Sequence, residues 1–234
     1  MRLVEDKIWM LVLFSICCSC NGITERKGAY AVNGIDISRY QQKVDWAAIS
    51  DSLVQFVFVK ATEGEEHVDS LFHKNWDALG DLDIRRGAYH FYRPSISAQI
   101  QFRNFTDQVF LMPGDLPPVI DFEASGNLSV EQIKLSLKEL IFLMQDHYET
   151  KPIIYTNLKL YKQYIADTFD DYPIWIARYN DKPPLLNNGH AWTFWQYGNR
   201  GRMQGIDGDV DLNVFAGNIQ DLKSLCIQKN KTKE

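Results

Sequence analysis

The stretch Pro117-Pro-Val-Ile-Asp-Phe-Glu123 has the pattern of a short buried strand that ends in two acids. The β-branched residues before the acids favour a strand with little exposure to water. Side chains two positions apart in a strand share a face, so Asp121 and Glu123 are expected to point the same way and Phe122 the other way. The Cα atoms of the two acids would lie about 6.5–7 Å apart.

Two carboxylates at that spacing indicate a chemical function. Each raises the affinity of the other for a proton, so one can stay protonated near neutral pH while its neighbour stays ionised. Cleavage of a glycosidic bond needs one carboxyl group of each kind. The competing interpretation is a pair of solvated acids at a strand end, and this short pattern alone leaves both open.

Strand-like runs of this kind alternate with helical spacing along the chain, a pattern typical of βα units and a parallel sheet. The predicted strands are Val32–Ile37, Phe56–Lys60, Gly87–Phe91, Pro118–Asp121, Ile153–Tyr155, Ile174–Ala177, Thr193–Gln196 and Val210–Leu212. The predicted helices are 43–52, 69–83, 97–111, 129–147 and 158–168. We therefore predict an α/β fold, an irregular TIM-like β/α barrel of about eight strands and five helices whose last third lacks helices.

The fourth predicted helix has the clearest pattern, because its apolar residues form a single stripe. Ser129 and Gln132 match a capping box at its first turn. Two segments rich in glycine, asparagine or proline, Asp181–His190 and Gly198–Gly208, are predicted to be loops.

Barrels of this type carry their active sites at the C-terminal ends of the strands. Every predicted strand ends in polar side chains, which is more than the solvation of one rim requires. They are Asp36, Lys60, Glu63, Tyr89, His90, Asp121, Glu123, Tyr155, Asn157, Arg178, Tyr179, Gln196, Tyr197, Asp211 and Asn213. His90 is more typical of a hydrogen-bonded core residue than of a base. Asp36 could also cap a turn, and Asp211 could belong to a turn or a calcium loop.

The composition excludes several classes of protein. A chain of 234 residues suits one domain with a sizeable core. The net charge of −5 and the lack of a cluster of basic residues in the sequence argue against nucleic-acid binding, which needs cations to neutralise phosphates. The sequence contains no P-loop, dinucleotide-binding fingerprint or serine nucleophile elbow.

Residues 1–20 have the pattern of a signal peptide of the lipoprotein type. Arg2 and Lys7 supply positive charge before the apolar run Ile8–Ile16, which is too short to span a bilayer. Cys20 follows Ser19 and resembles the cysteine of a bacterial lipoprotein cleavage site, so it is the candidate for lipidation. We expect an exported protein that a lipid holds at a membrane of the cell envelope, rather than a freely secreted one.

The sequence predicts four segments: the signal peptide 1–20, a tether 21–31, the barrel 32–220 and a C-terminal tail 221–234. Cys226 is the one cysteine after Cys20, so a mature chain beginning at Cys20 could form a disulfide only between these two. A metal site built on cysteines is excluded for the same reason.

Eight segments occur along the chain in a recognisable order. They are Gly34-Ile-Asp-Ile-Ser-Arg-Tyr-Gln41, Lys60-Ala-Thr-Glu-Gly64, Gly87-Ala-Tyr-His-Phe-Tyr92, Asp121-Phe-Glu123, Ile154-Tyr-Thr156, Trp175-Ile-Ala-Arg-Tyr179, Trp195-Gln-Tyr197 and Val210-Asp-Leu-Asn213. Together they resemble glycoside hydrolase family 25, the Chalaropsis-type lysozymes, over residues 32–217.

The resemblance implies hydrolysis of the β-1,4 bond from N-acetylmuramic acid to N-acetylglucosamine in the glycan strands of peptidoglycan. It implies that Glu123 is the general acid and then the general base. Asp121 would orient the substrate's 2-acetamido group as this group attacks the anomeric carbon, which gives net retention. Asp36 and Asp211 match two further acids that would raise the pKa of Glu123 and hold the water.

The positions that match the sugar-binding groove are Tyr89, Tyr155, Trp175, Tyr179 and Gln196. The resemblance implies no metal and no organic cofactor, since acid–base chemistry with substrate assistance needs none. We expect a monomer.

Two other functions remain open at this point. Chitinase-like glycosidases also end a strand with Asp-x-Glu, but they usually carry a further Asp two residues earlier, where this chain has Val119. A non-catalytic module that binds cell wall is the second alternative. The presence of all four acids argues against it.

Overall fold

The computed structural model describes residues 29–50 and 52–229. The predicted signal peptide, Cys20 and most of the tether lie outside these residues. The elements in chain order are β1 (Val32–Ile37), a 3-10 turn (Arg39–Gln41), α1 (Trp46–Ser50), β2 (Val54–Glu63), β3 (His67–Val68), α2 (Phe72–Gly80), β4 (Arg85–Phe91), α3 (Ala98–Thr106), β5 (Val119–Asp121), α4 (Val130–Tyr148), β6 (Ile153–Asn157), α5 (Leu158–Leu160) continuing as a π-helical turn (Tyr161–Ile165), β7 (Ile174–Ala177), a 3-10 turn (Asn187–Gly189), β8 (Phe194–Met203), β9 (Ile206–Phe215) and α6 (Ile219–Leu225).

Eight of the nine strands in the described residues close into a barrel. The neighbours run β1-β9-β8-β7-β6-β5-β4-β2, and β1 also pairs in parallel with β2, which completes the ring. The short β3 lies outside the ring as an antiparallel partner of β2. The predicted irregular α/β barrel is therefore confirmed.

Residues 198–208 form part of a β-hairpin, so the loop predicted there is wrong. Strand β8 continues to Met203, and β9 returns antiparallel to it. Gly205, in the two-residue connection, has a φ of 94°, a conformation that glycine adopts without a steric penalty. Since β9 is also antiparallel to β1, the barrel is mixed rather than fully parallel.

Two apolar layers support the barrel. Large aromatic side chains fill its interior, where the rings of Phe58 and Trp175 stack with centroids 4.3 Å apart. Gly87 makes room for this packing, because a Cβ there would lie 2.6 Å from the ring of Phe58. Outside the barrel, the buried stripe of α4 packs on the sheet, and its capping box from Ser129 to Gln132 is present as predicted.

Helix α6, which follows β9, was not predicted from the sequence. Leu222 and Cys226 are buried in the same interior cluster as Val32 and Phe215, at the end of the barrel opposite the C-terminal ends of the parallel strands. Burial raises the pKa of the Cys226 thiol to about 11, so it stays protonated at neutral pH. Within the described part of the chain, no helix combines the length and apolar character needed to cross a bilayer.

Candidate active site

A cleft of about 220 Å³ opens on the barrel rim where the parallel strands end. All nine side chains that the sequence analysis assigned to catalysis or sugar binding line it. The full lining is Asp36, Ser38, Tyr40, Gln41, Lys60, Tyr89, Phe91, Asp121, Glu123, Tyr155, Trp175, Tyr179, Gln196 and Asp211. The barrel brings these residues together because the C-terminal ends of its parallel strands meet at one rim.

Asp36 and Asp211 face each other across the antiparallel pair β1–β9. Asp36 is buried, and its Oδ2 accepts hydrogen bonds from Asn213 Nδ2 at 2.7 Å and Gln196 Nε2 at 2.9 Å. Burial and the charge of Asp211 raise the pKa of Asp36 well above its ordinary value, although both amides oppose this effect. Burial raises the pKa of Asp211 to about 6. Because both amides bind one oxygen of Asp36, its other oxygen is left to share a proton with Asp211.

Asp121 is the last residue of β5 and is 5% exposed. Its Oδ1 is buried and has no hydrogen-bond partner among the described residues. Burial and the nearby charge of Glu123 raise its pKa well above the ordinary range, and Lys60 acts in the opposite direction. A buried acceptor without a partner is unfavourable in the free protein, so a ligand that donates a hydrogen bond here would remove that cost.

Glu123 lies two residues further on and is exposed at the mouth of the cleft. Enough protein surrounds its carboxyl group for burial to raise its pKa, while a hydrogen bond with Tyr155 and the charges of Lys60 and Arg93 lower it. An exposed carboxyl group with a raised pKa can carry a proton to a ligand in the cleft and take it back.

Hydrogen bonds fix the amide of Gln196 on the cleft floor. Its Oε1 accepts from the hydroxyl of Tyr155 at 2.8 Å and from that of Tyr179 at 3.0 Å, so its NH₂ group is turned to Asp36. Trp175 is 2% exposed and donates its indole N–H to Asn213 Oδ1 at 2.8 Å. It therefore supports the floor of the cleft from below.

The open walls of the cleft come from the tyrosines. Tyr179 is 54% exposed, and burial raises its pKa to about 12. Tyr89 is half-buried, and burial together with the surrounding acids raises its pKa well above its ordinary value. Both hydroxyl groups therefore stay protonated. Tyr89 can donate a hydrogen bond to a polar ligand, whereas the oxygen of Tyr179, whose hydrogen is donated to Gln196, can accept one.

Lys60 is the one cation among the described residues that line the cleft, and no role was predicted for it from the sequence. Lys60 Nζ lies 2.6 Å from Glu63 Oε2, and Arg93 binds the other oxygen of Glu63. Lys60 Nζ and Arg93 Cζ lie 4.9 Å and 4.6 Å from the ring centroid of Phe91. Burial would raise the pKa of Glu63, but hydrogen bonds from both cations lower it to about 2. The position of Lys60 at a strand end, three residues before an acid, was the available signal.

His90 is a core residue, as its apolar strand indicated. Its Nδ1 lies 2.7 Å from Thr62 Oγ1 and its Nε2 lies 3.1 Å from Gln101 Oε1, and burial lowers its pKa to about 4. No group of three or more His, Cys, Asp or Glu side chains in residues 29–50 and 52–229 is arranged to hold a metal ion.

A family model, sequence relatives and solved structures each match most of this chain. The model of glycosyl hydrolases family 25 matches residues 35–206. "Uncharacterized protein YegX" of Escherichia coli (strain K12) is 39% identical over 201 residues, which cover 84% of this chain and 74% of YegX. Lysozyme M1 of Streptomyces globisporus is 30% identical over 208 residues, which cover 83% of this chain and 71% of that protein. The structure of a family 25 glycosyl hydrolase from Bacillus anthracis matches with a TM-score of 0.79 and 34% identity, over 84% of this chain and 94% of that one.

Removal of Lys60 and removal of Glu63 should shift the pKa of Asp121 in opposite directions. Carboxyl titration followed by ¹³C NMR would measure these shifts. Lys60→Met should raise the pKa of Asp121 and of Glu123, because it removes a cation that favours both carboxylates. Glu63→Gln should lower the pKa of Asp121, because it removes an anion and leaves the cation. Lys151→Met, which removes a cation over a tyrosine away from the cleft, is the control and should change neither. Shifts of Asp121 in the same direction in both variants would contradict this account.

Proposed function

The chain belongs to glycosyl hydrolase family 25, and from this premise we propose that Glu123 is the proton donor of a lysozyme. The protein is a glycoside hydrolase that cuts peptidoglycan as a muramidase. The observation that supports Glu123 is its position. It lies at the cleft mouth, two residues beyond a buried acid, with a raised pKa and a second acid pair opposite.

The first step breaks the bond between the anomeric carbon of N-acetylmuramic acid and the oxygen of N-acetylglucosamine. Glu123 gives its proton to that leaving oxygen. The carbonyl oxygen of the substrate's own 2-acetamido group attacks the anomeric carbon from the other side. In the second step the Glu123 carboxylate takes a proton from water, and the water opens the cyclic intermediate, so the configuration at the anomeric carbon is retained.

Asp121 orients the acetamido group in this proposal. Its buried Oδ1 has no partner among the described residues, and in the ionised form it can accept the N–H of the acetamide. As the acetamide attacks, positive charge develops on its nitrogen, and a carboxylate in a site with little water stabilises that charge strongly.

Asp36 and Asp211 hold the remaining proton and the water. Asn213 and Gln196 keep the Asp36 carboxyl group in place, and Asp211 lies opposite with a pKa of about 6. Glu123 raises the pKa of Asp211 by its charge. Because that repulsion is mutual, an ionised Asp211 favours the protonated form of Glu123, which is the form that the first step needs.

Replacement of the proton donor tests the assignment. Glu123→Gln should lower kcat on peptidoglycan by roughly 10²- to 10⁴-fold, because the amide keeps the shape of the side chain but carries no proton to transfer. The control Glu131→Gln, on the exposed side of α4, should keep full activity. Turnover of Glu123→Gln at the wild-type rate, with the same unfolding midpoint, would place the acid elsewhere.

The identity of the new reducing end tests the bond that is cut. Fragments released from insoluble peptidoglycan would be reduced with borohydride and analysed by mass spectrometry. We expect muramitol ends. Glucosaminitol ends would indicate a glucosaminidase, and retention of the protein on the wall without release of fragments would indicate a binding module.

We also propose that the protein is exported and anchored at the cell envelope through a lipid on Cys20. The support is the sequence of residues 1–20, in which an apolar run precedes Ser19 and Cys20. Cys20→Ala should move the protein from the membrane fraction to the soluble fraction after cell lysis and ultracentrifugation. The control Cys226→Ala should stay with membranes. Wild-type protein found only in the soluble fraction would exclude the anchor.

A further inference from the structure

Tyr40 separates the acidic cleft from a second, shallow depression on the same rim. The depression is lined by Arg39, Tyr40, Gln42, Lys43, Ser70, Leu71 and Lys74. Tyr40 also lines the cleft, and its side chain is 74% exposed. The cleft and the depression therefore share the side chain of Tyr40 as a common wall, and a polymer that lies in the cleft can extend over this residue into the depression.

The charge of the depression is opposite to that of the cleft. Three cations, Arg39, Lys43 and Lys74, and no acid line it in the described part of the chain. Lys43 and Lys74 are exposed and form no ion pair with another described residue. The whole chain carries a net charge of −5, so this is a local concentration of positive charge on an acidic protein.

The fold brings these cations together from separate segments. Arg39 follows β1, while Lys74 lies on α2. The buried carboxylate of Asp69 joins the two segments, because it accepts the backbone N–H of Arg39 and that of Leu71, each at 3.0 Å. Asp69 is buried and both of its oxygens accept backbone N–H groups, so it does not line the depression, whereas the cations do. The sequence showed no basic cluster because 35 positions separate Arg39 from Lys74.

The backbone conformation of Gln42 is a further sign of a ligand site in this segment. Its φ of 53° and ψ of −123° are values that a residue with a side chain rarely adopts. Strain of this kind, of order 1–3 kcal/mol, persists where the surroundings enforce it, and it occurs most often at ligand sites. Here it turns the chain between Gln41, which lines the cleft, and Lys43, which lines the depression.

The substrate, like this surface, has two parts that differ in charge. Its sugars are uncharged at the bond that is cut, whereas the stem peptide on the lactyl group of muramic acid carries free carboxylates. We propose that the depression formed by Arg39, Lys43 and Lys74 binds the carboxylates of a stem peptide whose sugar lies in or beside the cleft. This proposal rests on the muramidase function.

Distance and charge both favour this ligand. A stem peptide of four residues spans at most about 14 Å when extended, which is enough to reach from a sugar in the cleft past a single tyrosine side chain. The four acids of the cleft repel a peptide carboxylate, and the three cations attract it. Since the cations are exposed, the attraction is expected to weaken as salt is raised, with a screening length of about 8 Å at physiological ionic strength.

The test compares two substrates and two matched variants. The substrates are peptidoglycan with its stem peptides and the same glycan after an amidase has removed them, which leaves a free lactyl carboxylate on each muramic acid. Lys43→Glu/Lys74→Glu reverses the charge of the depression. Lys138→Glu/Lys162→Glu changes the net charge by the same amount on exposed positions of α4 and the π-helical turn.

At low salt, Lys43→Glu/Lys74→Glu should raise KM roughly tenfold on the peptide-bearing substrate, since each exposed charge contact contributes only modestly. Its KM on the stripped glycan, and the KM of the control variant on both substrates, should equal the wild-type values. Lys43→Gln/Lys74→Gln should give a smaller rise.

Three results would overturn the proposal. The first is an equal rise in KM on both substrates, which would assign the cations to the lactyl carboxylate or the sugar. The second is an equal rise in the KM of the control variant. The third is an unchanged KM of Lys43→Glu/Lys74→Glu on the peptide-bearing substrate. Failure of the muramidase function itself would differ from all of these, because the wild-type protein would then release no muramitol-ended fragments from either substrate.

Discussion

The antiparallel pairing of β1 with β9 is the constraint on which the site depends. Together with the pairing of β1 with β2 it makes the ring of strands continuous, and its register sets Asp36 directly opposite Asp211. The same strand β9 supplies Asn213, which binds both Asp36 and the indole of Trp175, so the acid pair and the aromatic floor are held by one amide. A one-residue slip of β9 would turn Asp211 and Asn213 to the other face and remove both supports.

The four acids of the cleft have different neighbours, which shift their pKa values by different amounts. Lys60, held by Glu63, lowers the pKa of Asp121 and of Glu123, whereas the main support of Asp36 comes from neutral amides. Lys60 therefore offsets part of the rise in pKa that burial causes at Asp121 and at Glu123. This cation favours the ionised form of Asp121 that the proposed mechanism needs, although burial and the charge of Glu123 still raise the pKa of Asp121 well above its ordinary value.

The sequence predicted the barrel, and strand ends that converge on one rim account for eight of the nine assigned side chains that line the cleft. The ninth, Trp175, was assigned through the family resemblance alone. The sequence predicted less where tertiary contacts decide the structure. The hairpin beyond Gly198 contains many polar and glycine residues, and the strand forms because β1 and β8 supply its partners. Helix α6 is short, and packing of Leu222 into the barrel end outweighs its weak periodicity. Tyr40 lies between the cleft and the depression, and this position follows from the tertiary fold and not from a local sequence pattern.

The raised pKa values also link the activity to stability. The folded protein holds a proton on Asp211 up to about pH 6, whereas its ordinary value is 3.8. Between these values the folded state binds more protons than the unfolded state, so the contribution of Asp211 to stability is lost as pH rises through this window. Burial shifts Asp36 and Asp121 in the same direction. The site therefore destabilises the fold least when its acids are protonated. When the acids ionise, packing of the aromatic interior must offset the additional loss of stability.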